Sequence, residues 1–120
     1  MGKAASAMRE PTYFVLASLL SGPLHGYAII KRAAEMSDGR VQLATGTLYT
    51  ALDRLTAEGY VRLVREERVS GRIRRSYGLT DAGSAALRAE AQRMAEAARL
   101  VTGEAPSARG SRLGRTARTA

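Results

Sequence analysis

Residues 45–83, TGTLYTALDRLTAEGYVRLVREERVSGRIRRSYGLTDAG, contain first a helical and then a strand-like spacing of apolar side chains. The first part, residues 45–58, predicts a helix because four apolar residues fall on one helical face: Leu48, Ala51, Leu52 and Leu55. Gly59 follows, at the position where many helices end on a left-handed residue. The stretch therefore predicts a helix that is followed at once by extended chain.

The second part of the same stretch predicts a β-hairpin. Residues 60–64 have a strand-like composition, Ser70 and Gly71 signal a turn, and residues 73–79 alternate in character. Arginines outnumber glutamates here, which predicts a protruding basic loop that could hold phosphate: Arg62, Arg65, Arg68, Arg72, Arg74 and Arg75. A charge run of this kind is otherwise an ordinary solvated face.

Two helices are predicted before this stretch. Pro11 favours the first turn of helix one, whose apolar residues recur at helical spacing until residues 21–23 end it: Tyr13, Leu16, Ala17 and Leu20. Helix two has the same spacing, with Lys31 and Arg32 beside its apolar residues, and residues 37–39 end it. The apolar residues of helix two are Tyr27, Ile30 and Ala34.

A long last helix is predicted from Asp81 to about Val101, with Thr80 as its N-terminal cap. Its apolar residues are spaced four and three apart, which is typical of a heptad seam: Leu87, Ala91, Met94, Ala98 and Val101. Such a seam packs either inside its own subunit or against a partner. We expect a dimer contact, with Tyr13 and Leu16 added from helix one, because little of the domain is left for this helix to pack on.

The order helix, helix, helix, hairpin, helix is that of a winged helix-turn-helix. The predicted fold class is mainly α with a small β-hairpin, and a C-terminal dimerisation helix follows the winged domain. We expect a flexible N-terminal arm over residues 1–10, the winged domain over 11–80, the dimerisation helix over 81–102 and a disordered basic tail over 103–120. The tail carries arginines that suit nonspecific affinity for DNA: Arg109, Arg112, Arg115 and Arg118.

The formal net charge of +8 over 120 residues favours a polyanionic partner. Nucleic acid and an anionic membrane surface both fit this charge, but a membrane-surface protein should carry its arginines along an amphipathic helix. Here they cluster in the hairpin. The longest apolar run, residues 13–20, is shorter than the roughly 18 residues that span a bilayer. We therefore expect a soluble, cytoplasmic protein without a membrane partner.

Composition also argues against an enzyme or a metal protein. The chain has no Cys and a single His, so thiolate clusters, disulfides and multi-histidine metal sites are excluded. His25, just before helix two, suits capping or packing, because neither Ser21 nor Glu35 forms a catalytic constellation with it. No glycine-rich phosphate loop follows a strand. We expect no enzymatic activity, no cofactor and no metal.

The outward sector of the third helix favours DNA recognition. It combines a glycine with hydrogen-bonding side chains of moderate reach, which suit insertion into a major groove: Gly46, Tyr49, Thr50, Asp53 and Arg54. The full set of predicted DNA contacts adds the start of helix two and the hairpin: Tyr27, Lys31, Thr45, Gly46, Thr47, Tyr49, Thr50, Asp53, Arg54, Arg68, Arg72, Arg74 and Arg75. The alternative, a winged-helix module that binds protein, would need an apolar or acidic face on the third helix.

Three segments in this order resemble the PadR-type transcriptional regulators: residues 22–27 (GPLHGY), 46–61 (GTLYTALDRL followed by EGYV) and 71–83 (GRIRRSYGLTDAG). The resemblance extends over about residues 11–101. It implies a homodimer that binds specific DNA sequences, with the third helix as the recognition helix and the hairpin as the wing. It also implies a C-terminal helix that packs against the partner, and a repressor that a small molecule releases.

The chain departs from the PadR pattern at a few positions. Ala44 stands where a serine often caps the third helix, and we expect Thr45 to take over that cap. Ile73 stands where a wing proline is common, which predicts a more mobile wing. The chain has no Trp, so the stacked-tryptophan ligand pocket of some PadR relatives is not expected.

Overall fold

The computed structural model describes residues 8–103, which form four helices and one three-stranded antiparallel sheet. The elements in chain order are α1 (Glu10–Ser18), β1 (Leu24–His25), α2 (Gly26–Met36), α3 (Thr45–Ala57), β2 (Val61–Val69), β3 (Arg72–Leu79) and α4 (Asp81–Thr102). Strand β3 lies between β1 and β2. The predicted fold class, mainly α with a small hairpin wing, is confirmed.

The two predicted terminal segments are largely outside this description. Residues 1–7 of the predicted arm and residues 104–120 of the predicted tail lie outside the described residues. Helix α1 begins at Glu10, so the last residue assigned to the arm belongs to the helix. The Glu10 carboxylate accepts hydrogen bonds from the Arg40 guanidinium. These hydrogen bonds and the negative charge of Glu10 raise the pKa of Arg40.

The chain divides into two compact units, Met1–Glu90 and Ala91–Ala120. The boundary falls inside α4, whereas the sequence predicted a domain boundary between residues 80 and 81. The first part of α4 belongs to the first unit because Leu87 is buried in that unit's hydrophobic core. Thr80 caps α4 as predicted, since its Oγ1 accepts a hydrogen bond from the Gly83 backbone N–H at 2.9 Å.

The buried face of α1 agrees in part with the predicted one, since Leu16 and Ala17 are buried, whereas that of α2 is offset from it. In α1 the helix ends at Ser18, and Leu19 is buried while Leu20 is 48% exposed. In α2 the core side chains are Ile29 and Ala33, whereas Tyr27 is 72% exposed. Two helical faces that are offset by one residue have the same spacing, so the period alone does not select between them.

Helix α3 matches its prediction to within one residue at its C-terminus. Leu48, Leu52 and Leu55 are fully buried, and Gly59 adopts a φ of +85° just after the helix. The predicted capping by Thr45 is wrong. The N-cap residue is Ala44, which has no side-chain hydrogen bond, and Thr45 already lies inside the helix.

The hairpin β2–β3, called the wing below, is longer than predicted. Its strands pair as far as Val69 and Arg72, and the Ser70–Gly71 turn has φ values of +52° and +78°, as a two-residue type I′ turn requires. The predicted basic loop is therefore replaced by paired strands that carry the arginines. Strand β1 was not predicted, because two residues are too few to show an alternating pattern.

Candidate nucleic-acid interface

An open cleft of about 470 Å³ lies between the tip of the wing and the first turns of α2 and α3. It is lined by His25, Gly26, Tyr27, Ile30, Thr45, Tyr49, Val69, Ser70, Arg72, Ile73 and Arg74. The fold thus brings together predicted DNA contacts from three distant parts of the chain: Tyr27, Thr45, Tyr49, Arg72 and Arg74. We refer to this feature as the wing cleft.

The other predicted DNA contacts are exposed but do not line the wing cleft: Lys31, Gly46, Thr47, Thr50, Asp53, Arg54, Arg68 and Arg75. In the first two turns of α3, Thr47 and Thr50 expose hydroxyl groups that can donate and accept hydrogen bonds. Hydroxyls suit contact with base edges in a major groove. A protein-binding module would need an apolar or acidic surface at this place, and this surface is neither.

Both helices that begin at the wing cleft lack a side-chain cap. The N-cap residues, His25 of α2 and Ala44 of α3, make no side-chain capping hydrogen bond. Of the two roles predicted for His25, capping is therefore wrong, whereas packing is not contradicted, since His25 is half-buried and pairs through its backbone in β1 with Ser76. The first backbone N–H groups of a helix have no partner within it and carry the positive end of its dipole. Two such ends beside one cleft favour a phosphate group.

The wing arginines differ in how far acidic residues neutralise them. Arg75 Nε lies 3.6 Å from Glu66 Oε1, and Arg65 Nη1 lies 3.7 Å from Glu67 Oε1. Within residues 8–103, Arg72 and Arg74 form no ion pair. The positive charge that is free to meet a phosphate is thus greatest at the tip of the wing, where these two arginines line the cleft.

Tyr49 is less exposed than the sequence predicted. Its side chain is half-buried, and its ring is 6.5 Å from the ring of Tyr77, centroid to centroid. A Cβ atom added to Gly26 would lie only 2.8 Å from Tyr49 Cζ, so the start of α2 approaches this ring because residue 26 is a glycine. Burial raises the pKa of the Tyr77 phenol. Tyr49 therefore lines the wing cleft and also packs α3 against α2.

Arg54, which the sequence predicted as a DNA contact, is engaged by residues of its own subunit. Its Nη2 donates a hydrogen bond to Thr12 Oγ1 at 3.1 Å, and its Nη1 lies 3.6 Å from Glu58 Oε1. These contacts hold the side chain against α1 and the C-terminal end of α3. Helical periodicity could not reveal them, because Thr12 is distant in sequence. We therefore remove Arg54 from the candidate interface.

The predicted dimer seam is divided between buried and exposed residues. Leu16 and Leu87 are 0% and 3% exposed inside their own subunit, which argues against their predicted contact with a partner. A heptad spacing does not show which subunit covers each position. Tyr13 and Ala91 are half-buried, whereas Met94, Ala98 and Val101 are exposed. Leu100, which is outside the heptad positions and was missed, is 88% exposed.

Among residues 8–103, no helix has the length and apolar content needed to cross a bilayer. The same residues bring no three potential metal ligands of the His, Cys, Asp or Glu type together.

Comparison with known proteins identifies relatives of the winged domain. The family model "Transcriptional regulator PadR-like family" matches residues 15–89. The chain is 46% identical over 81 residues to a 37.1 kDa protein in transposon TN4556 of Streptomyces fradiae, covering 68% of this chain and 22% of that protein. It is 46% identical over 70 residues to the transcriptional regulator Rv3488 of Mycobacterium tuberculosis, covering 58% and 64%.

A solved structure is also similar to this chain. The structure of Bacillus subtilis PadR in complex with operator DNA matches with a TM-score of 0.58 and 28% identity, over 67% of this chain and 46% of that one. The chain thus spans less than two thirds of the length of each of these relatives. Because the family model matches more than half of the chain, the chain belongs to the PadR-like family of transcriptional regulators.

Proposed function

We propose that this protein binds specific sequences of duplex DNA as a homodimer and represses transcription until a small molecule releases it. The observation that carries the DNA-binding part is the wing cleft, where two uncapped helix starts face the unpaired arginines of the wing tip. The Bacillus subtilis relative was solved with operator DNA. Members of the family are transcriptional regulators rather than enzymes, and we propose no catalytic role.

The proposed complex divides recognition between α3 and the wing. Helix α3 enters the major groove, where Thr47 and Thr50 contact base edges. The adjacent phosphate backbone lies in the wing cleft, held by the first N–H groups of α2 and α3 and by Arg72 and Arg74. The wing projects about 13 Å from Arg75 to its turn, at about 3.3 Å per residue, so Arg72 and Arg74 lie toward its far end.

Selection from a random pool of duplexes tests the DNA-binding proposal. The full chain should enrich one palindromic sequence, because two recognition helices related by a two-fold axis read equivalent half-sites about 34–36 Å apart. Enrichment of no sequence, with retention of the pool by charge alone, would contradict sequence-specific recognition. Retention of no duplex at all would favour the alternative, a winged-helix module that binds protein.

The homodimer is supported by the exposed apolar residues of α4 beyond Glu90. Met94 and Val101 occupy heptad positions, and Val101 is 88% exposed. Two copies of this part of the helix would cover these side chains. We therefore keep residues 91–101 in the proposed dimer surface, with Tyr13 from α1, and leave out Leu16 and Leu87.

Light scattering tests the dimer. The parent protein should be a dimer at micromolar concentration, and Met94→Asp combined with Val101→Asp should give a folded monomer, because the contact would bury unpaired charge. Ala89→Asp is the matched control, since Ala89 is exposed on the same helix and outside the heptad positions. A double variant that stays dimeric, or a parent that is monomeric while bound to DNA, would contradict this assignment.

The repressor role and its release by a small molecule rest on the resemblance to PadR-type regulators. Deletion of the gene should raise transcription from any promoter that contains the selected sequence. Unchanged or lower transcription in the deletion strain would contradict repression.

A further inference from the structure

We propose that Ser70, in the turn of the wing, is a phosphorylation site, and that its phosphate monoester competes with DNA for the arginines of the wing tip. Ser70 is exposed and lines the wing cleft. A serine kinase would transfer the γ-phosphoryl group of a nucleoside triphosphate to the Ser70 hydroxyl oxygen. The new P–O bond replaces the bond from the γ-phosphorus to the β–γ bridging oxygen, the nucleoside diphosphate leaves, and the hydroxyl proton passes to the base of the kinase. This inference rests on the proposed function, because it assigns a means of regulation to the same cleft.

The charges around Ser70 suit a phosphate monoester. Residues 68–74 include three arginines and no acidic residue: Arg68, Arg72 and Arg74. Within the part of the chain that the structure describes, none of the three forms an ion pair. Arg68 Nη1 donates a hydrogen bond to the Gly71 carbonyl at 3.5 Å, which places this guanidinium beside the turn. A phosphoserine carries a charge of about −2 and acceptor oxygens that pair strongly with guanidinium groups. The wing tip would therefore hold a phosphate attached to residue 70.

The end of the wing can open to a kinase while the core stays folded. Strand β1 pairs with β3 only at Ser76 and Tyr77, so the wing from Arg75 to its turn is a two-stranded ribbon. A two-stranded ribbon by itself is only marginally stable. Ser70 also has a φ of +52°, a left-handed conformation that costs free energy in residues other than glycine. Local opening relieves this cost and presents the Ser70 hydroxyl in an extended segment.

Ser76 shows that the basic sequence alone does not select the acceptor. It directly follows two arginines, so its neighbours are as basic as those of Ser70. Ser76 is half-buried, however, in the central strand of the sheet, where it pairs with His25 on one side and Arg65 on the other. A kinase could reach it only after the sheet came apart. The structure therefore favours Ser70 as the acceptor.

Phosphorylation of Ser70 should weaken DNA binding through the wing arginines. In the proposed complex, Arg72 and Arg74 hold the phosphate backbone of the duplex. A phosphate on Ser70 would occupy these guanidinium groups and repel the phosphates of the duplex. Each backbone contact raises the affinity about fivefold at about 0.15 M salt, because log K changes with log salt by about 0.9 per phosphate. Loss of both contacts should weaken DNA binding at least about tenfold.

Mass spectrometry tests the acceptor. The full chain is incubated with ATP and an extract of the cells that naturally produce it, and the peptides that contain residues 70 and 76 are then analysed. Phosphate should be found on Ser70, and Ser76 should stay unmodified. The Ser70→Ala variant should carry no phosphate in the wing. Absence of phosphate from Ser70, or phosphate on Ser76 instead, would overturn the assignment of the site.

DNA titrations test the effect. The full chain with phosphoserine placed at position 70 during translation should bind the selected duplex at least about tenfold more weakly than the unmodified chain, with a shallower salt slope. Ser70→Asp should bind about fivefold more weakly than Ser70→Asn. These two variants are a matched pair, because both side chains tolerate a positive φ and differ in charge.

A change of background shows whether the wing arginines carry this effect. When Arg72→Gln and Arg74→Gln are both present, the difference between Ser70→Asp and Ser70→Asn should become less than about twofold. Equal DNA affinity of the phosphorylated and unmodified chains, or an undiminished difference in this background, would overturn the competition. Failure of the unmodified chain to bind any duplex would instead contradict the proposed function.

Discussion

Helix α3 and the tip of the wing border the same cleft but differ in charge. The exposed residues of the first two turns of α3 include Thr47 and Thr50 and carry no charge, whereas the wing tip carries Arg72 and Arg74. Contacts to base edges specify a sequence, and contacts to phosphate supply affinity that depends on salt. Under the proposed function we therefore expect α3 to provide the specificity of this regulator and the wing to provide most of its electrostatic affinity.

Neutralising the wing tip should have the largest effect on DNA affinity. Arg72→Gln combined with Arg74→Gln should lower the slope of log K against log salt by about 0.9 for each phosphate that the wing no longer binds. Preference for the selected sequence over other duplexes should change little. Fluorescence anisotropy across a series of salt concentrations measures both quantities.

Arg75→Gln is the matched control for that experiment. Glu66 already partly neutralises Arg75, so this variant should change the salt slope less than either change at the wing tip. An unaltered slope in the wing-tip double variant, or an equal decrease in the Arg75 variant, would show that the wing tip is not the main site of phosphate binding.

Tyr49 has two roles, because it lines the wing cleft and also packs on Gly26. Tyr49→Ala should lower the free energy of unfolding by about 2 kcal/mol, roughly half of the cost of truncating a fully buried aromatic residue. Tyr49→Phe should retain this stability and report only the effect of the hydroxyl on DNA binding. Urea denaturation of both variants measures the effect, and equal stability of Tyr49→Ala and the parent would contradict the packing role.

Removing the α3 hydroxyls should have a smaller effect, on specificity alone. Thr50→Val or Thr47→Val should reduce discrimination against altered operator bases by about 1 kcal/mol each and leave the salt slope unchanged. Thr56→Val is the control, because Thr56 donates its hydroxyl hydrogen to the Leu52 carbonyl at the far end of α3. A lower salt slope with intact discrimination would assign these threonines to phosphate instead.

The smallest effect is expected for Arg54. Its guanidinium already contacts Thr12 and Glu58, and an ion pair as exposed as that of Arg54 with Glu58 contributes less than about 1 kcal/mol to stability. Arg54→Ala should therefore leave DNA affinity within twofold of the parent value in an anisotropy titration. A decrease as large as that of the wing-tip variant would return Arg54 to the interface.

Features that depend on local chain chemistry were predictable from the sequence. The buried leucines of α3, the cap at Thr80 and the turn at Ser70 and Gly71 each follow from a few neighbouring residues. The order of these elements then specified the winged fold. The wing cleft itself was only partly predictable, because its residues were chosen by type and by helical face rather than by contact.

Features that depend on tertiary contacts were not predictable. The inward face of α2 lies one residue away from the predicted face, and the spacing of apolar residues is the same for both. The Arg54–Thr12 hydrogen bond joins residues that are far apart in the chain. The heptad seam of α4 combined one residue of the subunit core, Leu87, with exposed residues such as Met94, and spacing does not distinguish them.

Competition between the selected duplex and a shuffled duplex of the same composition tests the central claim most directly. We expect the full chain to bind the selected duplex about a thousandfold more tightly or better, with both affinities decreasing as salt increases. Equal affinity for the two duplexes, or an affinity that does not change with salt, would contradict the proposal that α3 reads sequence while the wing holds the phosphate backbone.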